Sequence, residues 1–392
     1  MTGEFMNQEQ LKQQLMAWRH HLHAHPESAF EEVKTSAFIA QQLEKMGIEV
    51  HRNLGKTGLV GVLKCGEGKG VIGIRADIDC IQLTEQGEHT YRSTTPERMH
   101  GCGHDGHTSI ALGAAQLLAQ RKNFNGTVCF VFQPAEEPGY GANAMMVDGV
   151  LTRFGIEEIY GLHNMPGMKA GTIATRVGGI MASEDNFVIR IQGQGSHAAR
   201  PHMSKDPLVI AAEIILTLQT IVSRNVDPNV PAVISCTELH TDGIRNAIPG
   251  HVEIKGDTRS YSPQVQALLE ERMRTICEGI CAMHGAQCEF SYTHEFAPTV
   301  NHEVCVDVAV NAAKNVVGEE NVDGNVQQMM ISEDFGAFLQ HIPGCFIFLG
   351  NGDDSDAKGA TPLHNACYDF NDDILVTGAE YFAEVIRTRL PL

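Results

Sequence analysis

Between residues 187 and 293 the sequence reads β-α-β-β-α-β, and this run sits inside a longer α/β pattern that stops before it and resumes after residue 300. The runs are strand 187–192, helix 207–223, strand 232–239, strand 251–257, helix 263–284 and strand 287–293. That order is the ferredoxin-like unit, a small domain complete in itself. A complete domain interrupting another pattern means an insertion. At 392 residues the chain is also too long for one comfortable core. The expected fold is therefore α/β, with an α/β/α domain around a central, mostly parallel sheet built from residues 6–184 and 300–392. The inserted βαββαβ domain occupies residues 185–299.

Hydrophobic residues at 43% and charged residues at 20% are those of a chain that folds around a core. A formal net charge of -19 argues against nucleic acid or an anionic membrane as partner, since both would be repelled at long range. A small-molecule substrate fits better. No run approaches 18 apolar residues, and the first 25 residues hold no signal-like apolar stretch, so a cytoplasmic location is expected. Eleven cysteines without paired spacing read as reduced thiols. Residues 1–5, ahead of a second methionine at Met6, read as a leader outside the fold.

Polar residues gather where strands end. Met99 to His107 holds one thiol, four imidazole or carboxylate side chains and three glycines, which reads as half of a metal site. Its plainer alternative is a Gly-rich loop before a helix at 108–120, with Cys102 buried and Asp105 as a cap. Asp77 and Asp79 follow strand 71–75 on one face, and Glu136-Glu137 follow strand 127–132. In extended backbone those two glutamates point apart, so one can hold a metal while the other moves a proton. His163 closes strand 158–162. Three strand ends thus each deliver donors. His20, His21, His23 and His25 are dense but spread around a helix end, and read as structural or solvated, with metal ligation the lesser alternative.

The blocks 75–79, 99–108, 133–137, 161–164, 195–202, 332–335 and 363–365 resemble the signature segments of the aminoacylase and carboxypeptidase-type dinuclear metallohydrolases. Within them the chain looks most like the hippurate hydrolase and indoleacetyl-amino-acid hydrolase branch, from about Trp18 to the last helix. The resemblance implies that Cys102, His104, Glu137, His163 and His364 hold two divalent metal ions (zinc, manganese, cobalt or nickel), with Cys102 bridging. Glu136 would be the general base and Asp79 a residue that orients a ligand, with Asp77 less settled. His197 would stabilise the oxyanion, Asn246 and Arg259 would grip the substrate carboxylate, and the inserted domain would be a lid through which a homodimer forms. The implied reaction is hydrolysis of N-acyl amino acids to a carboxylate and a free amino acid. Gln82, Ser204, Asp257, Ala366 and Cys367 depart from the family pattern, so the acyl group cannot be copied from a relative.

Two other readings are set against this one. Cys102 could be a nucleophile activated by His104 or His107, which a chelator would spare and a thiol alkylator would kill. The chain could also be a non-catalytic binder on the same scaffold, which retention of Glu136 and five ligand-type residues disfavours.

Overall fold

The computed structural model describes residues 6–355 and 359–392; the expected leader at residues 1–5 lies outside them. The chain divides into two compact units. The first runs up to Ile180 and takes in Val300–Gln327 and Asp334–Leu392, and the second is Met181–Thr299 with Gln328–Glu333.

The first unit is built on an eight-stranded sheet. Its strands lie in the order Glu49–Leu54, Gly58–Cys65, Gly126–Gln133, Val71–Asp77, Glu158–Pro166, Gly344–Gly352, Ile173–Ala174 and Val322–Asp323. The four central strands from Gly126–Gln133 to Gly344–Gly352 run parallel, with an antiparallel hairpin at one edge. Burial explains their sequences: Gly344–Gly352 is buried at every position, as a parallel strand covered on both faces must be. Parallel neighbours also end together. The pairing of Asp77 with Gln133, and of Arg75 with Gly161, brings the carboxyl ends of three strands to one level.

Helix His104–Arg121 begins four residues earlier than its apolar pattern suggests, so His104 and His107 lie in its first turn. Gly103 precedes it at φ 94, a left-handed conformation that glycine adopts without strain. Gly106 lies against the ring of Phe370, where a Cβ would come within 2.2 Å of Cε2. The first helix, Gln8–Ala24, is tied down by fully buried Arg19, which donates to Asp372 and Asp369, each at 2.8 Å. The histidines at its end divide. His20 meets Asp372 at 2.8 Å and stacks on Tyr91, whereas His23 is fully buried between Asp105 and Glu85. His25 bonds back to its own helix, at the carbonyl of His21.

In the second unit the four strands lie in the order Ala232–Thr241, His251–Ser260, Glu184–Gln192, Gln287–Phe296, all antiparallel. With helices Pro207–Arg224 and Pro263–Met283 this is the ferredoxin-like arrangement. Alternating burial along Glu184–Gln192 sends Phe187, Ile189 and Ile191 into a core shared with Ile214, Leu218 and Met273. Helix Pro207–Arg224 is long and apolar enough by composition to cross a bilayer, which the absence of an 18-residue apolar run had hidden; it packs Ile210, Ile214, Leu218 and Ile221 into this core.

Gly106→Ala is expected to lower stability by about 1–3 kcal/mol through overpacking against Phe370, read from denaturant midpoints. A pH dependence follows from His23. Burial opposes its charge, but Asp105 and Glu85 outweigh burial and push it up to about 9. Its contribution is therefore full below pH 6.5 and lost as pH rises through about 9. In metal-stripped protein, the stability difference between wild type and His23→Phe should shrink across that window; a difference independent of pH would contradict the assignment.

Candidate active site

The level strand ends, the start of helix His104–Arg121 and the segment after Gly344–Gly352 converge on one cluster, buried except at His364, which lies exposed at its edge. Cys102 Sγ lies 3.4 Å from His163 Nε2 and 3.3 Å from His364 Nε2. His364 Nε2 is 3.5 Å from Glu137 Oε1, which is 3.8 Å from His104 Nε2. Three overlapping triads result, Cys102/His104/His163, Cys102/Glu137/His364 and His104/Glu136/Glu137, with donor atoms within 4.8 Å of one another in each. The five expected ligand residues and Glu136 are thus brought together, with Cys102 in two of the triads.

Each donor is aimed by a neighbour. His104 Nδ1 meets the backbone carbonyl of Asp79 at 2.9 Å and its carboxylate at 3.2 Å, leaving Nε2 facing the cluster. Asp79 also accepts from the Glu137 amide at 3.1 Å. His163 Nδ1 donates to the Asn164 carbonyl at 2.7 Å, which again leaves Nε2 for the cluster. This is how imidazoles are fixed around metal ions. Asp77 bonds His107 Nδ1 at 2.7 Å and Arg75 at 2.8 Å, and lies 3.8 Å from His104.

The glutamate pair differs from expectation. Glu136 and Glu137 stand in a turn rather than in extended backbone, and both carboxylates come within 3.8 Å of His104 Nε2. The cause is Ala135, at φ 51, which ends the extended run. A left-handed alanine costs about 1–2 kcal/mol, so something must hold it. Glu32 does: fully buried, it accepts the Ala135 amide at 2.9 Å and the Thr57 hydroxyl at 2.5 Å. Burial pushes its carboxyl up to about 7. No periodicity marks Glu32 in the sequence, because its partner is 103 residues away. His364, at φ 60, is a second left-handed residue here, anchored by its amide on the Gly101 carbonyl at 2.8 Å.

The electrostatics ask for cations. Burial works against charge on His104, yet Asp77, Asp79 and Glu137 push it up to about 10. Burial, with Glu137, Glu136 and Asp77, holds the Cys102 thiol well above its ordinary value. That is the reverse of an activated nucleophile, whose thiolate needs positive surroundings. His107, one proposed activator, is engaged by Asp77 and Asn164. His104 Nε2 and Glu137 Oε1 are buried without a hydrogen bond. Buried polar atoms left so are costly, and metal ions held by these residues would satisfy them. Sulfur, imidazole and carboxylate donors suit zinc, manganese, cobalt or nickel.

The remaining expected residues belong to the second unit. His197 is exposed on the short strand Ser196–His197, its Nδ1 accepting from the Ala199 amide at 3.0 Å. Asn246 is its neighbour across that pairing, its carbonyl accepting from Ala198 at 3.0 Å. Arg259 stands apart from them in the bonding pattern, held by Asp257 at 2.7 Å, Glu184 at 2.9 Å and Ser332 at 2.7 Å.

The chain is similar in sequence and fold to known proteins. The chain is 39% identical over 367 residues to a hippurate hydrolase of Campylobacter jejuni, covering 94% of each chain. It is 37% identical over 373 residues to an N-acetylcysteine deacetylase of Bacillus subtilis, covering 95% of each. A Bacillus subtilis crystal structure described as a dinuclear metal-binding peptidase of the M20 family superposes with a TM-score of 0.85 at 34% identity, over 97% of this chain and 99% of that one. Residues 73–388 match the sequence profile of Peptidase family M20/M25/M40, and this chain, a hydrolase, belongs to that family.

Proposed function

We propose that the chain is a dimetal amidohydrolase that cleaves the amide bond of N-acyl amino acids. The observation that carries this reading is the cluster of buried Cys102, His104 and His163, half-buried Glu137 and exposed His364, with two donor atoms lacking hydrogen bonds and Glu136 beside them. The names of the two relatives, one a hippurate hydrolase and the other an N-acetylcysteine deacetylase, support the substrate class. Those five residues would hold the two ions. Bound there, the ions would acidify a water and polarise the scissile carbonyl.

The rest is the work of side chains. Glu136 takes the proton of the attacking water and returns it to the leaving amine. Asp79 orients His104 and steadies Glu137. Glu32, through Ala135, fixes the turn that presents both glutamates. His197 would stabilise the oxyanion, with Asn246 and Arg259 taking the substrate carboxylate, for which a planar guanidinium is well shaped. The inserted unit serves in this reading as lid and as the surface through which two copies pair.

Chelator-stripped protein, assayed on benzoyl-glycine, acetyl-amino acids and indoleacetyl-amino acids, should release free amino acid only when manganese or zinc is restored. Activity that survives stripping and dies on thiol alkylation would replace this reading with the Cys102 nucleophile. Glu136→Gln should lower kcat by about 10²- to 10⁴-fold while its metal content matches wild type. For Glu32, the alanine variant should lose about tenfold to a hundredfold in kcat with little change in KM, and Glu32→Gln, which keeps an acceptor for Ala135, should retain most activity. Equal effects of the two Glu32 variants would show that the carboxylate charge, rather than the amide contact, matters.

A further inference from the structure

A second cluster of metal-type donors lies in the first unit, and the proposed reaction makes no use of it. His23, from the end of helix Gln8–Ala24, and Glu85 and His89, from the segment after strand Val71–Asp77, place one donor atom each within 4.8 Å of the others. Glu85 Oε1 is the hub, 3.2 Å from His23 Nε2 and 2.5 Å from His89 Nε2. His23 and Glu85 are buried and His89 nearly so, with 16% of its side chain exposed.

The orientation of the two imidazoles is the telling feature. His23 Nδ1 meets Asp105 Oδ2 at 2.8 Å, so the ring is pinned with Nε2 turned inward. His89 Nδ1 faces Asp369 Oδ2 at 3.9 Å, and its Nε2 also turns inward. A carboxylate bonded behind the ring with the other nitrogen turned inward, as at His23, is the arrangement that prepares histidine to bind zinc; at His89 the carboxylate lies beyond hydrogen-bond distance. His23 faces a carboxylate through each of its ring nitrogens, so one of those two contacts needs a positive charge. Without a metal, a proton on His23 supplies it.

We propose that His23, Glu85 and His89 form a further divalent-cation site of the zinc type, separate from the Cys102 cluster. Two imidazoles and one carboxylate make a common three-residue zinc donor set, with water completing four-coordination. Tyr91, stacked on His89 with centroids 4.4 Å apart, holds that ring in place. The ion would tie the end of the first helix to the segment after strand Val71–Asp77.

The test counts ions. Chelator-stripped wild type and His89→Ala are reloaded with excess zinc, freed of unbound metal by gel filtration, and measured by plasma mass spectrometry. Wild type should retain one more zinc per chain than His89→Ala, with hydrolysis in the two agreeing within about twofold. His89→Cys, which offers another zinc donor at the same place, should restore the lost ion. Equal zinc content in wild type and His89→Ala overturns the proposal. So does His89→Cys matching His89→Ala. Because the result is a difference at His89, it is independent of how many ions the Cys102 cluster holds. Repeating the pair on a His364→Ala background should leave that difference of one intact, and its disappearance would mean the extra ion belongs to the Cys102 cluster.

Discussion

Arg75 is fully buried at the end of the central strand Val71–Asp77, and the first unit is arranged around the charge it carries. It donates to Asp77, Gln133 and Asp334 at 2.8–2.9 Å, joining two strand ends to a segment that arrives 259 residues later. Buried carboxylates are tolerable only when paired and hydrogen-bonded. Arg75 satisfies Asp77, which in turn fixes His107 against Asn164. What Arg75 leaves uncompensated is the far side of the cluster, where Asp79, Glu136 and Glu137 surround a single imidazole, His104. Burial first and then Glu137, Glu136 and Asp77 raise Cys102, Asp77 together with Asp79 and Glu137 raises His104 against burial, and the excess of negative charge is why the cluster suits divalent ions.

The two units use opposite ways of building from sequence. In the inserted unit each strand is half covered, so its burial alternates, and the unit was readable from the β-α-β-β-α-β succession of its elements. In the first unit the central strands are covered on both faces and read as unbroken apolar runs. There the legible signal was where the runs stopped. Asp77, Gln133 and His163 mark strand ends that the register places side by side. Donors that are scattered in sequence were gathered by the rule that parallel strands deliver their carboxyl ends to one edge.

What escaped the sequence has a common physical cause. Glu32 matters through one backbone amide 103 positions away, and His23 through Asp105 and Glu85, 82 and 62 positions away. Such contacts leave no local period. The start of helix His104–Arg121 was misplaced for a related reason: its first turn is polar because it faces the site, so apolar periodicity begins only after it. Adjacent glutamates were expected to point apart because the strand was carried on through Ala135. A left-handed alanine is rarely written into a sequence reading, since its cost is met by a partner visible only in three dimensions.

The two metal-type clusters are joined by consecutive residues. His104 and Asp105 open the same helix, and successive side chains on a helix diverge by about 100°. His104 therefore turns into the Cys102 cluster while Asp105 turns away from it, to His23 at 2.8 Å and to Arg19 at 3.7 Å. The helix cannot rotate to relax one contact without straining the other. Gly106, against Phe370, removes the remaining slack, since the next residue has no side chain with which to wedge the helix outward. The position of His104, on which three of the site's carboxylates depend, is thus set from behind by the His23 cluster. That hold comes from Asp105 itself, through His23 and Arg19, and needs no ion in the cluster.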